Sequence, residues 1–293
     1  MNITDAALRV QARASGGPDE AWGPEVEEVE SKLRKIPNLV HYLRIAKTGS
    51  TSLLAMFETA KKRAPEACAR LGTHFHNVLP RHLRERQPAA MFAVLREPCE
   101  RFASSFDYVR RRRAFNKHPD EPVHTFEDGV VGAIRWAKLL LHNQSYRLLW
   151  DQHTADGAAL DVADYQKADE RDVLGQKIEP GAREACCRGH SGSRKGGQPM
   201  WSVIGWRQAA YVEADTRLGC LPTMRDDVQA IFDEVLPGCI LPKEVPHVND
   251  YRADVPTVPN EELCALVKRL RRRDYELWDE RCTAAGAASA ARR

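Results

Sequence analysis

The stretch Lys47-Thr48-Gly49-Ser50-Thr51-Ser52 packs a cation, a glycine and four hydroxyl side chains into six residues. It stands where an apolar, strand-like run gives way to a helix-like one. Unpaired backbone N–H groups and the positive end of a helix dipole make such a junction an oxyanion site. Gly49 permits close backbone approach, the hydroxyls add donors and Lys47 supplies a full charge. A nucleotide-triphosphatase loop requires G-x-x-x-x-G-K-[ST]. Here Tyr42, Leu43, Arg44, Ile45 and Ala46 precede the lysine, no glycine is among them, and Lys47 comes before the loop glycine rather than after it. The cradle therefore suits a phosphate group that brings no metal with it.

A second grip lies further on. Arg96 ends another apolar run and Ser104 follows eight residues later. An arginine at a strand end can hold a phosphate bidentately, and a serine on the next helix can donate to the same group. By itself this spacing is weak. Paired with a phosphate cradle after an earlier strand, it points to a nucleotide phosphorylated at two separate positions. Between the two motifs, "GTHFHN" holds His74 and His76. Histidine is the one side chain that titrates unperturbed near neutrality, so either is a candidate general base toward an acceptor hydroxyl. Glu97 is a lesser contender, expected to be held ionised and occupied by Arg96.

The elements that must position these residues follow from the hydrophobic pattern. "NLVHYLRI" over 38–45 reads as a strand, and Ser50 to about Arg63 as a helix with Leu53, Leu54 and Phe57 on one side. "AMFAVL" over 90–95 is a short continuous apolar run, as in a strand buried on both faces. Pro98 then suits a helix's first turn, and Phe102, Phe106 and Val109 recur at helical spacing. Strand, polar turn, helix, twice over, predicts an α/β fold: a central parallel sheet flanked by helices on both faces. Ligands of such sheets bind outside the carboxyl ends of the strands, where both motifs lie.

Elsewhere, 124–150 reads as one helix with Val130, Ile134, Ala137, Leu141 and Leu148 on its apolar stripe. Another helix is expected over about 223–236, and a last one opens at Asn260 with Leu263, Leu266, Val267, Leu270 and Leu277 on one side. Residues 1–36 read as a flexible lead-in, 37–282 as a single domain with an irregular insertion over about 151–200, and 283–293 as a disordered tail.

Across 293 residues, 43% hydrophobic and 29% charged content is that of a globular protein, and the formal net charge is only +3. Arginines nevertheless cluster over 81–86, 110–113 and 269–273. Such runs are either solvated helix faces or a surface for a polyanion. The small net charge and the lack of a reading motif disfavour nucleic acid. Eight cysteines show no C-x-x-C pair, so no metal is expected. Their even count is compatible with disulfides without demanding them. No run approaches a membrane span and no signal pattern opens the chain, so membrane attachment is expected only through an anchor absent from it.

Taken together, "KTGSTSL" resembles the 5′-phosphosulfate loop of sulfotransferases that use 3′-phosphoadenosine 5′-phosphosulfate (PAPS). "VLREPCERFASSFDYVR" resembles their 3′-phosphate motif. The likeness is to carbohydrate O-sulfotransferases, above all the heparan/uronyl 2-O type, and extends to "NQSYRLL" (143–149), "VPHVND" (245–250) and "DYELW" (274–278). It implies a P-loop-like sulfotransferase fold and PAPS as co-substrate, released as 3′-phosphoadenosine 5′-phosphate (PAP). Lys47 would stabilise the leaving 5′-phosphate, with Thr48, Gly49, Ser50, Thr51 and Ser52 around the phosphosulfate and Arg96 and Ser104 on the 3′-phosphate. The family carries an H-x-H pair in the interval of His74 and His76, which favours His76 as base. Where the family usually has glycine between them, this chain has Phe75. The resemblance implies a carbohydrate acceptor, an acidic polysaccharide by the arginines, with Arg81, Arg84, Arg110, Arg111, His247 and Asn249 as candidate contacts. It also implies a place in the Golgi lumen. Alternatives are a non-catalytic polyanion-binding protein on the same fold, or a small-molecule or protein-tyrosine acceptor.

Overall fold

The computed structural model describes residues 38–73, 88–111, 126–144, 147, 176, 177, 179, 207–246 and 256–283. The expected lead-in, the tail beyond 283 and nearly all of the expected insertion lie outside them. The chain forms two compact units, each built from two separated segments: Met1–Leu95 with Tyr211–Asp250, and Arg96–Ala210 with Tyr251–Arg293.

The first unit holds a four-stranded parallel sheet, which makes the fold α/β. Strands β1 (Val40–Leu43), β2 (Leu71–Thr73), β3 (Ala90–Leu95) and β4 (Thr216–Cys220) run in the order β2-β1-β3-β4. Register is parallel throughout, with Val40 opposite Leu71 and Ala90, and Met91 opposite Thr216. Helix α1 (Ser50–Arg63) follows β1. On one sheet face Val40, Tyr42, Ala90, Phe92 and Val94 share a core with Leu53, Met56 and Phe57 of α1. Tyr42, Phe57, Phe92 and Phe232 meet at ring-centroid separations of 5.2 to 6.1 Å, contacts that each add about 0.5–1.5 kcal/mol beyond area burial. On the other face His41, Leu43, Met91, Ala93 and Leu95 are buried too. The two central strands are thus covered on both sides, as the continuous apolar run of β3 predicts.

Strand β4 was not legible as one. "TRLGC" neither alternates nor runs apolar; its geometry comes from pairing with β3 and from Arg217 clasping Glu234. Each partner of that clasp shifts the other: Arg217 is held above its ordinary range and Glu234 below its own, chiefly through their hydrogen bond. Glu234 lies on helix α4, Met224–Val235, and Cys239, in the turn that follows it, is bridged by a disulfide to Cys68 in the turn after α1.

In the second unit, α2 (Pro98–Arg111) and α3 (Gly129–His142) pack through Phe102 and Phe106 against Trp136. They approach closely at Gly132, where a Cβ would stand 1.8 Å from the Glu127 carbonyl and 2.9 Å from the Phe106 ring. The helix expected over 124–150 is interrupted: α3 spans only Gly129–His142, Asn143 turns extended (φ −122, ψ 106) and caps it, and Gln144 and Arg147 are helical again. The last helix divides as well. Arg271, with φ −125 and ψ 36, separates α5 (Glu261–Leu270) from α6 (Arg272–Trp278), and a wider π turn follows over Asp279–Thr283. The disulfide Cys99–Cys264 ties α2 to α5, and Lys138 reaches Glu262 at 2.8 Å. Cys220 and Cys282 are disulfide-bonded as well. Among the described residues no helix is long and apolar enough to cross a membrane.

Candidate functional site

β1 delivers the chain to the first motif. Two polar side chains are buried there, Tyr42 within the strand and Arg44 just past its end. Burial pushes the Tyr42 phenol far above its ordinary range, with Arg44 and the Thr48 hydroxyl pulling the other way. Burial lowers Arg44 to about 10, with Tyr42 opposing. At neutral pH Arg44 therefore remains cationic, a buried positive charge at the entrance to the loop. A single arginine at the end of an apolar strand run was the available signal for it.

The loop itself is folded tightly. Lys47 has φ 67 and Gly49 φ 80, both left-handed. For lysine this conformation stores strain, about 1–3 kcal/mol for such residues, of the kind that gathers at functional sites. Gly49 is required twice over, by its φ and because a Cβ would stand 2.6 Å from the Leu221 Cδ1 and 3.3 Å from the Met224 sulfur. A left-handed residue followed by helical Ser50 turns successive N–H groups toward one concavity, an anion nest. Gly49 offers α1 no side-chain cap, and no acid stands in its first turn. Thr48 is buried, and its hydroxyl donates to the Ile45 carbonyl at 3.0 Å. This side chain therefore shapes the loop from within, whereas Thr51 and Ser52 are half-exposed and Ser50 is buried in the first turn.

The second motif leaves β3, which is the direct parallel neighbour of β1, at its carboxyl end. Arg96 is the next residue. Its Nε lies 3.4 Å from Glu100 Oε2. Glu100 and Ser104 are four apart on α2 and so share a face of that helix. The Arg96 backbone is held on both sides by one side chain: its N–H donates to Gln208 Oε1 at 2.8 Å, and its carbonyl accepts from Gln208 Nε2 at 2.7 Å. Nothing in the sequence signalled Gln208.

Glu97 differs from expectation. Its Oε2 accepts the Glu100 N–H at 2.7 Å, capping α2, and it also hydrogen-bonds Tyr275, whose phenol is raised by burial first and by Glu97 second. The carboxylate found against Arg96 is that of Glu100. Of the arginine runs, Arg110 is engaged by Asp128 at 2.9 Å, Arg271 is buried, and Arg272 and Arg273 pair with Glu276 at 2.8 and 3.2 Å. His74, His76, Arg81, Arg84, His247, Asn249 and the Arg111 side chain lie outside the described residues. Among the described residues no three His, Cys, Asp or Glu side chains are grouped as a metal ion would need.

The chain matches no family model, no curated protein and no solved structure. The functional reading therefore stands on its own residues.

Proposed function

We propose that the protein is a PAPS-dependent O-sulfotransferase acting on a hydroxyl of a carbohydrate, with an acidic polysaccharide as the favoured acceptor class. The observation that carries this reading is the pair of strand exits. Adjacent parallel strands β1 and β3 lead, respectively, into a lysine-bearing loop at the start of a helix whose N-cap residue offers no side chain, and into Arg96, eight residues before Ser104 on α2. The resemblance of both motifs to those of the carbohydrate sulfotransferases assigns the 5′-phosphosulfate to 47–52 and the 3′-phosphate to Arg96 and Ser104.

In the reaction the acceptor oxygen attacks sulfur in line, a base removes its proton, and the bond from sulfur to the 5′-phosphate oxygen breaks to release PAP. The protein's part is positioning and charge stabilisation. Lys47 and the N–H groups of the loop meet the charge that grows on the leaving phosphate. His76 is the proposed base, with His74 its alternate. The disulfides favour an oxidising compartment, which suits the proposed lumenal setting.

Calorimetric titration with PAP, AMP and ATP tests the donor assignment. Wild type should prefer PAP, and Arg96→Ala should lose that preference while still binding AMP. Equal affinity for all three nucleotides in the folded wild type would refute the assignment.

A further inference from the structure

We infer that Gln208 is the positioning residue for Arg96, and that it thereby sets the preference for a nucleotide carrying a 3′-phosphate. The inference rests on the donor assignment above and adds a residue that neither motif contains. Gln208 is fully buried. Its single amide group engages both polar atoms of the Arg96 backbone, at 2.8 and 2.7 Å. This is the exchange of two hydrogen bonds by which one strand residue holds another across a ladder. A side chain thus does for Arg96 what a neighbouring strand does for residues within a sheet.

Gln208 is itself anchored. The N–H of the next residue, Ala209, donates to Asp274 Oδ1 at 2.9 Å. Asp274 is buried, and its other oxygen lies 4.0 Å from Arg101 on α2. Arg101 precedes Ser104 by less than one helical turn. The path from Arg96 through Gln208, Ala209, Asp274 and Arg101 therefore returns to the helix that carries Ser104. Arg96 thus hangs on a chain of buried polar groups that reaches α2 by a charge contact, Asp274 Oδ2 making no hydrogen bond to Arg101 at that distance. Removing the amide frees the Arg96 peptide to rotate. A long side chain amplifies that rotation at the guanidinium, so the arginine no longer meets a phosphate in a fixed bidentate geometry.

The readout is the ratio of PAP to AMP affinity, because AMP lacks the phosphate that Arg96 would hold. In Gln208→Leu, PAP should bind about tenfold more weakly, the scale of one charge-assisted hydrogen bond no longer held in place, while AMP affinity stays as in wild type. Amide hydrogen exchange at Arg96 should quicken in the same variant. A residue that only supports the fold would weaken both nucleotides together or neither. If wild type prefers PAP, Arg96→Ala abolishes the preference and folded Gln208→Leu keeps it, the inference fails and the donor assignment stands. If wild type shows no preference, both fail. Should Gln208→Leu not fold, Gln208→Glu decides by the same ratio. It keeps an acceptor for the Arg96 N–H but sets an oxygen against the Arg96 carbonyl, so the preference should again shrink. If neither variant folds, the role of Gln208 is architectural and the inference is overturned.

Discussion

Helix α5 closes its own N-terminus. Asn260 accepts the Leu263 N–H at 2.9 Å, and Glu261 and Glu262 set negative charge against the dipole. Helix α1 does neither. Gly49 stands at its start in a left-handed conformation, its first turn carries no acid, and the loop before it holds Lys47 at φ 67 and, further back, the buried charge of Arg44. Both helices are stable elements of their units, so stability does not require the arrangement at α1. A helix start supplied by its own chain needs nothing from outside. The start of α3 also lacks a side-chain cap and a first-turn acid, so what sets α1 apart is the lysine at a left-handed angle beside its hydroxyls, the features on which the proposed anion site rests.

The contrast is open to attack by mutation. The largest effect is expected for Lys47→Ala. PAPS turnover on a desulfated uronic-acid polysaccharide should fall about 100-fold or more, the scale of removing one group that stabilises transition-state charge, with a smaller change in PAP affinity. Unchanged turnover would remove Lys47 from the chemistry. Next, Ser52→Asp gives α1 the kind of acid α5 already has. Denaturant unfolding should show a gain of about 0.3–1 kcal/mol from the dipole, whereas calorimetry should show AMP and PAP binding weakened about tenfold by the like charge. Unimpaired binding would mean that this helix start holds no phosphate. The smallest effect belongs to Asn260→Ala, which should lower stability by about 1 kcal/mol through the lost cap and leave PAP affinity where it was. A loss of affinity there would end the distinction between a structural helix start and a binding one.

The strand, loop and helix around the first motif were legible because the small and hydroxyl residues that mark the loop also mark the helix start. Helix α1 begins at Ser50, where the hydroxyl run begins, and Pro98 marks the start of α2. What could not be read depends on distant partners. The strand geometry of β4 is imposed by β3 and by Glu234. The break at Arg271 interrupts an apolar spacing that runs on through Leu277. Gln208 acts on a backbone far away in sequence, through an amide that leaves no periodic trace. The occupation of Glu97 was foreseeable, but its partners were misread, because a helix cap depends on where the backbone N–H of residue 100 points.

The disulfides Cys68–Cys239 and Cys99–Cys264 carry a consequence for how the polypeptide withstands cutting. Cys68 and Cys99 lie before the long middle of the chain, and their partners Cys239 and Cys264 lie after it. A single proteolytic nick anywhere from residue 100 to residue 238 therefore separates two fragments that stay joined by both bridges. Each compact unit keeps both of its chain segments covalently tethered. On a gel such nicked protein runs as one species until a reductant is added, and then as two.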